Sequence, residues 1–135
     1  MAFKLPALGK KKKKDQPINR KLQIISKNAP FQYVEAYKTL RTNINFMAAS
    51  NNYRRLVITS SIPGEGKSNV AINLAISLAE NGKKVLIIDC DLRKPVMHKY
   101  LRITRRASGL TNVLSGEATP ADVIVHFSDL NIDVI

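Results

Sequence analysis

A parallel α/β sheet flanked by helices is the fold class this sequence predicts, and three observations predict it. Two short runs, Leu56-Val57-Ile58-Thr59 and Val85-Leu86-Ile87-Ile88, are rich in β-formers and read as buried strands. Between them a stretch from about Lys67 to Glu80 is apolar nearly all round, as a helix buried beside a sheet should be. Strand, helix and strand fall within about thirty residues, the span of a βαβ unit whose strands are parallel and whose crossover is right-handed.

The other elements follow in order. Residues 1–29 form a basic tail punctuated by Pro6, Gly9 and Pro17, and residues 30–135 form the folded domain. Val34, Tyr37, Leu40, Ile44 and Met47 recur at spacings of three and four, an amphipathic helix that Asn51 and Asn52 end. Asn81-Gly82 is a left-handed stop for the buried helix. A short helix is expected over residues 110–114. Thr119, Pro120 and Asp122 supply the N-cap, first-position proline and acidic third position of another. Residues 130–135 alternate like a strand, and no later apolar strand ending in aspartate follows, so the sheet is expected to lack its later strands.

Bulk composition excludes several classes. With 44% hydrophobic and 24% charged residues over 135 positions, the chain has material for one packed core. No apolar run approaches the roughly 20 residues of a membrane span. Met1 to Lys14 does not read as a secretory signal, and Ala2 stands where myristoylation needs glycine. Cys90 is alone, which suits a reducing cytoplasm. Of the net charge of +12, residues 1–30 carry +8, from nine Lys/Arg against one Asp. Five consecutive lysines, 10–14, read as a solvated tail or as a site of attraction to an anionic leaflet. No aromatic residue interleaves with them, so no specific nucleic-acid partner is expected.

The loop between the first strand and the buried helix carries the chemistry. In Ser60-Ser61-Ile62-Pro63-Gly64-Glu65-Gly66-Lys67-Ser68-Asn69, the glycines let backbone N–H groups crowd against phosphate oxygens. The helix start aims its partial positive charge at the same point. Lys67 can reach β- and γ-phosphates, and the Ser68 hydroxyl can coordinate Mg²⁺. Residues 63–69 are therefore the predicted nucleotide contacts of a P-loop NTPase. Ser61 stands where the usual pattern has its first glycine. A Rossmann reading fails, because Asn69 takes the third glycine's place and Lys67 has no role there.

After the second strand, Asp89-Cys90-Asp91-Leu92-Arg93 forms the other constellation. Alternation places Asp89 and Asp91 on one side of a continuing strand, with Cys90 a small filler facing away. Two close carboxylates suit a divalent cation: one holds Mg²⁺, while the other takes the proton of an attacking hydroxyl. The blander reading is that Asp89 caps a strand end and Asp91 pairs with Arg93 or Lys94. His98 and His126 lack partners at metal-ligand spacing and read as structural or solvent-facing.

These residues resemble a known family. The 60–68 segment followed by Ile87-Ile88-Asp89-Cys90-Asp91-Leu92-Arg93-Lys94-Pro95 is similar to the Walker A and Walker A′ motifs of bacterial tyrosine kinases of capsule and exopolysaccharide synthesis. Gly109-Leu110-Thr111-Asn112-Val113-Leu114-Ser115-Gly116-Glu117 also looks like that family. So does Glu35-Ala36-Tyr37-Lys38-Thr39-Leu40-Arg41, similar to its E-x-x-R-x-x-R oligomerisation helix, with Lys38 in the middle arginine's place. The resemblance runs from about Phe31 to Ile135. It implies autophosphorylation on tyrosine, with ATP and Mg²⁺ as cofactors and Lys67, Asp89 and Asp91 as catalytic residues. Ser68 and Asp91 would hold the metal, and Asp89 would match the base-like carboxylate. It also implies a homo-oligomer assembled through Glu35, Lys38 and Arg41. A membrane-embedded activator of the polysaccharide-length-regulator type would hold the protein at the inner face of the plasma membrane. The rival readings are an ATPase switch of the Min or Par type and a nucleotide-binding regulatory module without kinase activity. Ile62 stands where Min and Par proteins carry a signature lysine, which argues against the first.

Overall fold

A computed structural model describes residues 24–26, 28–104 and 108–135. Helix α1 runs Phe31–Asn51 and stops where Asn52 turns left-handed, at φ 53°. Helix α2, Lys67–Glu80, is the centre of the molecule. Its Ile72, Leu74, Ala75, Ile76 and Ala79 are buried, as its apolar sequence predicts. Its stop is a Schellman motif: the Gly82 N–H bonds Ala79 O at 2.9 Å and the Lys83 N–H bonds Leu78 O at 3.2 Å, with Gly82 at φ 78°.

Strand β1, Leu86–Ile87, lies parallel to β3, Ile132–Val134, with Leu86 opposite Asp133 and Ile87 opposite Val134. Backbone bonds extend that ladder from Val85 to Asp89. Between them come the short helices α3, Met97–Tyr100, α4, Leu110–Leu114, and α5, Pro120–Val123. The cap predicted for α5 is present, with the Thr119 N–H donating to the Asp122 carboxylate at 2.8 Å. That bond and one from the Thr119 hydroxyl hold the Asp122 carboxyl below its ordinary value.

Two expectations about the sheet are corrected. The first concerns its direction: β2, Val125–Phe127, pairs antiparallel with β3, so the order β1-β3-β2 is a mixed sheet. The connection from Phe127 to Ile132 is a short turn with Asn131 at φ 52°, which only an antiparallel hairpin can use. The second concerns residues 56–59, which pair with no strand among the described residues. Their β-forming side chains are suited to a sheet, but a strand exists only through a neighbour's hydrogen bonds. Val57 is accordingly 85% exposed.

The core lies where α2 meets β1, β3 and α3, gathering Ile72, Ile76, Ile87, Met97, Ile132 and Val134. Ile25, within the segment read as tail, is 5% exposed and belongs to the same cluster. The lysine run at 10–14 lies outside the described residues.

Candidate functional site

The phosphate loop sits on the start of α2. Gly64 and Gly66 take φ 82° and 96°, left-handed values that a side chain strains to reach. A Cβ at either glycine meets nothing within 4 Å, so backbone conformation rather than space demands glycine here. Gly66 is the N-cap of α2, and Lys67, Ser68 and Asn69 form its first turn.

Lys67 folds back over the loop and donates from Nζ to Ser60 Oγ at 3.1 Å, while Ser60 Oγ donates to Ile62 O at 2.9 Å. The ammonium is thus held across the mouth of the loop, half-buried, by a hydroxyl that a phosphate oxygen can replace. Sequence reasoning gave Ser60 no role; its place seven residues before the lysine shows nothing of this contact.

The acidic pair divides. After β1 the chain turns instead of continuing as a strand, so Asp89 and Asp91 do not share a strand face. Asp89 Oδ1 accepts from the Asp91 N–H at 3.1 Å and Oδ2 from the Met97 N–H at 3.4 Å, which pins the turn. Asp91 Oδ1 accepts from the Lys94 N–H at 3.0 Å. Each carboxylate keeps acceptor positions beyond these bonds. Cys90 is exposed instead of filling the core.

A cleft of about 390 Å³ joins the two constellations, lined by Ser60, Ser61, Ile62, Pro63, Lys67, Asp91, Arg93 and Lys94. Three cations and one carboxylate face it, a balance that suits a polyanion more than a neutral ligand. Arg93 and Lys94 lie in the quoted second motif, yet their convergence with Lys67 depends on the turn that Asp89 pins. Asp89 itself stands outside the lining.

The residues predicted for self-association are not gathered into one cluster. Lys38 Nζ pairs with Glu35 within α1 at 2.8 Å, both sides about half exposed. Arg41 turns inward and donates to Ser77 O at 2.6 Å and to Ser77 Oγ at 3.3 Å, clamping α1 onto α2. Arg41→Ala is expected to cost about 1.5–3 kcal/mol, the range for a hydrogen bond to a charged group, read as a lower midpoint in urea unfolding. An unchanged midpoint would show that the clamp does not hold in solution.

His126 Nδ1 lies 2.7 Å from Asp133 Oδ1 across the β2–β3 pair, on an exposed face. Among the described residues no group of three His, Cys, Asp or Glu side chains is placed to hold a metal.

The sequence profile described as CbiA, the CobQ/CobB/MinD/ParA nucleotide binding domain, matches residues 56–126, more than half of the chain. The chain belongs to that family. Tyrosine-protein kinase YwqD of Bacillus subtilis is 42% identical over 101 residues, covering 75% of this chain and 42% of that protein. Tyrosine-protein kinase CpsD of Streptococcus agalactiae is 46% identical over 90 residues, covering 67% and 38%. The kinase domain of the Escherichia coli tyrosine kinase ETK matches in structure with TM-score 0.70 at 35% identity, covering 84% of this chain and 47% of that one. The BceF tyrosine kinase domain matches with TM-score 0.66 at 33% identity, covering 76% and 40%. The chain therefore spans less than half the length of these relatives. The predicted P-loop NTPase fold class and the likeness to bacterial tyrosine kinases both hold. The matched family is one of nucleotide binding domains, and its match spans the glycine-rich loop and the start of α2.

Proposed function

We propose that this domain is the nucleotide-binding part of an ATP-dependent protein-tyrosine autokinase of capsule or exopolysaccharide synthesis. The observation that carries the reading is the shared cleft. Lys67 from the start of α2 and Asp91 from the turn after β1 face one volume beside the glycine-shaped loop. The tyrosine-kinase names of its relatives support the same reading.

In this reading the amides of 64–68 and the Lys67 ammonium hold the triphosphate, displacing Ser60 from Lys67. Arg93 and Lys94 close on the phosphates from the other side. Ser68 and Asp91 supply two hard oxygen donors, which fits Mg²⁺, a cation that keeps water and phosphate oxygens as its remaining ligands. When bound, Mg²⁺ would neutralise phosphate charge. The tyrosine oxygen forms a bond to the γ-phosphorus, the bond from that phosphorus to the bridging oxygen breaks, and ADP leaves. Asp89, oriented by the Asp91 and Met97 amides, takes the hydroxyl proton. Residues 30–135 form the kinase body, with Ile25 of the basic 1–29 segment packed into its core. Self-association through α1, by way of Glu35 and Lys38 with Arg41 at its seam with α2, and a membrane-embedded activator at the inner face of the plasma membrane, complete the proposal. Among the described residues no helix is long and apolar enough to cross a membrane.

The test is incubation with labelled ATP and Mg²⁺, scoring phosphotyrosine and released phosphate. Phosphotyrosine is expected, and Asp91→Asn should lower its formation about 10²-fold or more, the scale of losing one charged stabiliser of phosphoryl transfer. Free phosphate without phosphotyrosine would favour an ATPase switch and sink the kinase reading.

A further inference from the structure

The first turn of α2 is tied, away from the cleft, to a polar network that nucleotide binding does not by itself require. Asn73 is fully buried, at 0% exposure, one turn below Asn69. Its Oδ1 accepts from the Ile25 N–H at 2.7 Å. Its Nδ2 donates to the Tyr33 hydroxyl at 2.9 Å, to Asn69 O at 2.9 Å and to Asn69 Oδ1. Tyr33 in turn donates from its hydroxyl to Asn69 Oδ1 at 3.1 Å. Three separate parts of the chain thus meet on two asparagines: the 24–26 segment, the first turn of α1 and the turn of α2 that bears Lys67 and Ser68.

Such a network is costly to leave half-made, because a buried amide that loses a partner keeps its full desolvation penalty. It therefore favours one arrangement of all three parts together. Asn69 directly follows Ser68, so the bond from Tyr33 to Asn69 sets the rotation of the turn whose amides point at the phosphates. The phenol is pushed up to about 12, chiefly by burial, so it remains a proton donor across the physiological range. Packing alone does not explain the hydroxyl, since the ring already rests edge-on against Tyr37 with centroids 5.2 Å apart.

We propose that Tyr33 is a positioning residue for the nucleotide site. Acting through Asn69, its hydroxyl fixes the first turn of α2 and, through Asn73, couples phosphate binding to the docking of the 24–26 segment. This rests on the phosphate-loop reading above. The coupling is reciprocal: nucleotide tightens the hold on Ile25, and a docked Ile25 tightens the hold on nucleotide.

Two measurements on the intact chain test it. In the wild type, adding Mg-ADP is expected to slow hydrogen exchange at the Ile25 amide, a readout that needs no variant. Tyr33→Phe keeps the ring and removes the hydroxyl. It is expected to weaken Mg-ADP binding about fivefold to tenfold and to abolish the nucleotide effect at Ile25, and the lost buried hydrogen bonds should also lower the melting temperature of the apo protein by a few degrees. Wild type that binds Mg-ADP with no change at Ile25 overturns the coupling, whatever the variant does. A Tyr33→Phe protein with wild-type affinity and wild-type protection of Ile25 overturns it as well. Wild type that fails to bind Mg-ADP overturns the phosphate-loop reading itself, and the coupling falls with it.

Discussion

Lys67→Met is expected to abolish nucleotide binding at ordinary concentrations, with affinity falling roughly 30-fold to 4,000-fold, because a desolvated ammonium–phosphate contact is worth roughly 2–5 kcal/mol and each 1.4 kcal/mol is tenfold. Methionine keeps nearly the length and the apolar stem of lysine, so the change isolates the charge. Its effect on folding should be small. The ammonium's observed contact is one hydrogen bond to Ser60, worth about 1 kcal/mol net. Isothermal titration with Mg-ADP checks the first quantity, and a thermal melt without nucleotide checks the second. Added nucleotide should raise the melting temperature of the wild type and leave that of the variant where it was, since only a ligand that binds the native state stabilises it. Wild-type affinity in the variant would remove Lys67, and with it the phosphate loop, from the site.

The contrast between Lys67 and Asp89 shows how far sequence reaches. Lys67 was legible because three local signals coincide on it: the glycines before it, the helix it opens and the strand-like run ahead. Each concerns neighbours in sequence, and the structure keeps α2 at the predicted bounds, Lys67–Glu80. The role of Asp89 depends on where the chain goes after β1. Strand alternation put Asp89 and Asp91 on one face, but the Asp89 carboxylate itself turns the backbone by accepting from Asp91 two residues on. The side chain expected to wait on a shared strand face instead pins the turn that ends the strand.

Tertiary partners were legible least of all. Nothing local distinguishes Asn73 in α2 from a solvent-facing asparagine, although it is among the most buried residues of the chain. Its partners lie 40 and 48 positions away, at Tyr33 and Ile25. Arg41 is a similar case. Its spacing with Glu35 and Lys38 is that of a charged helix face, yet its guanidinium satisfies Ser77 on the neighbouring helix. The strand-like run at 56–59 errs in the opposite direction. Its composition states a preference that only a neighbouring strand can realise, and among the described residues none pairs with it.

Ile72→Ala is expected to cost the fold about 2–5 kcal/mol, against a total stability of roughly 5–15 kcal/mol for a domain of this kind. Ile72 is 0% exposed and sits in the cluster that holds α2 to β1 and β3, so the lost methyl groups leave a cavity that packed neighbours fill only in part. At about 3–5 °C per kcal/mol for a chain of this length, the melting temperature should fall by roughly 6–25 °C. The affinity of the molecules that remain folded should change little, because Ile72 faces the core more than one turn beyond Lys67. Saturating Mg-ADP therefore restores part of the loss, about 2.7 kcal/mol at a hundred times the dissociation constant. The two substitutions should thus behave as opposites. Lys67→Met spares the melt and removes the nucleotide response, whereas Ile72→Ala lowers the melt and keeps that response. A melt unchanged by Ile72→Ala would mean that α2 is not seated on the sheet as described, and the phosphate loop it carries would lose its support.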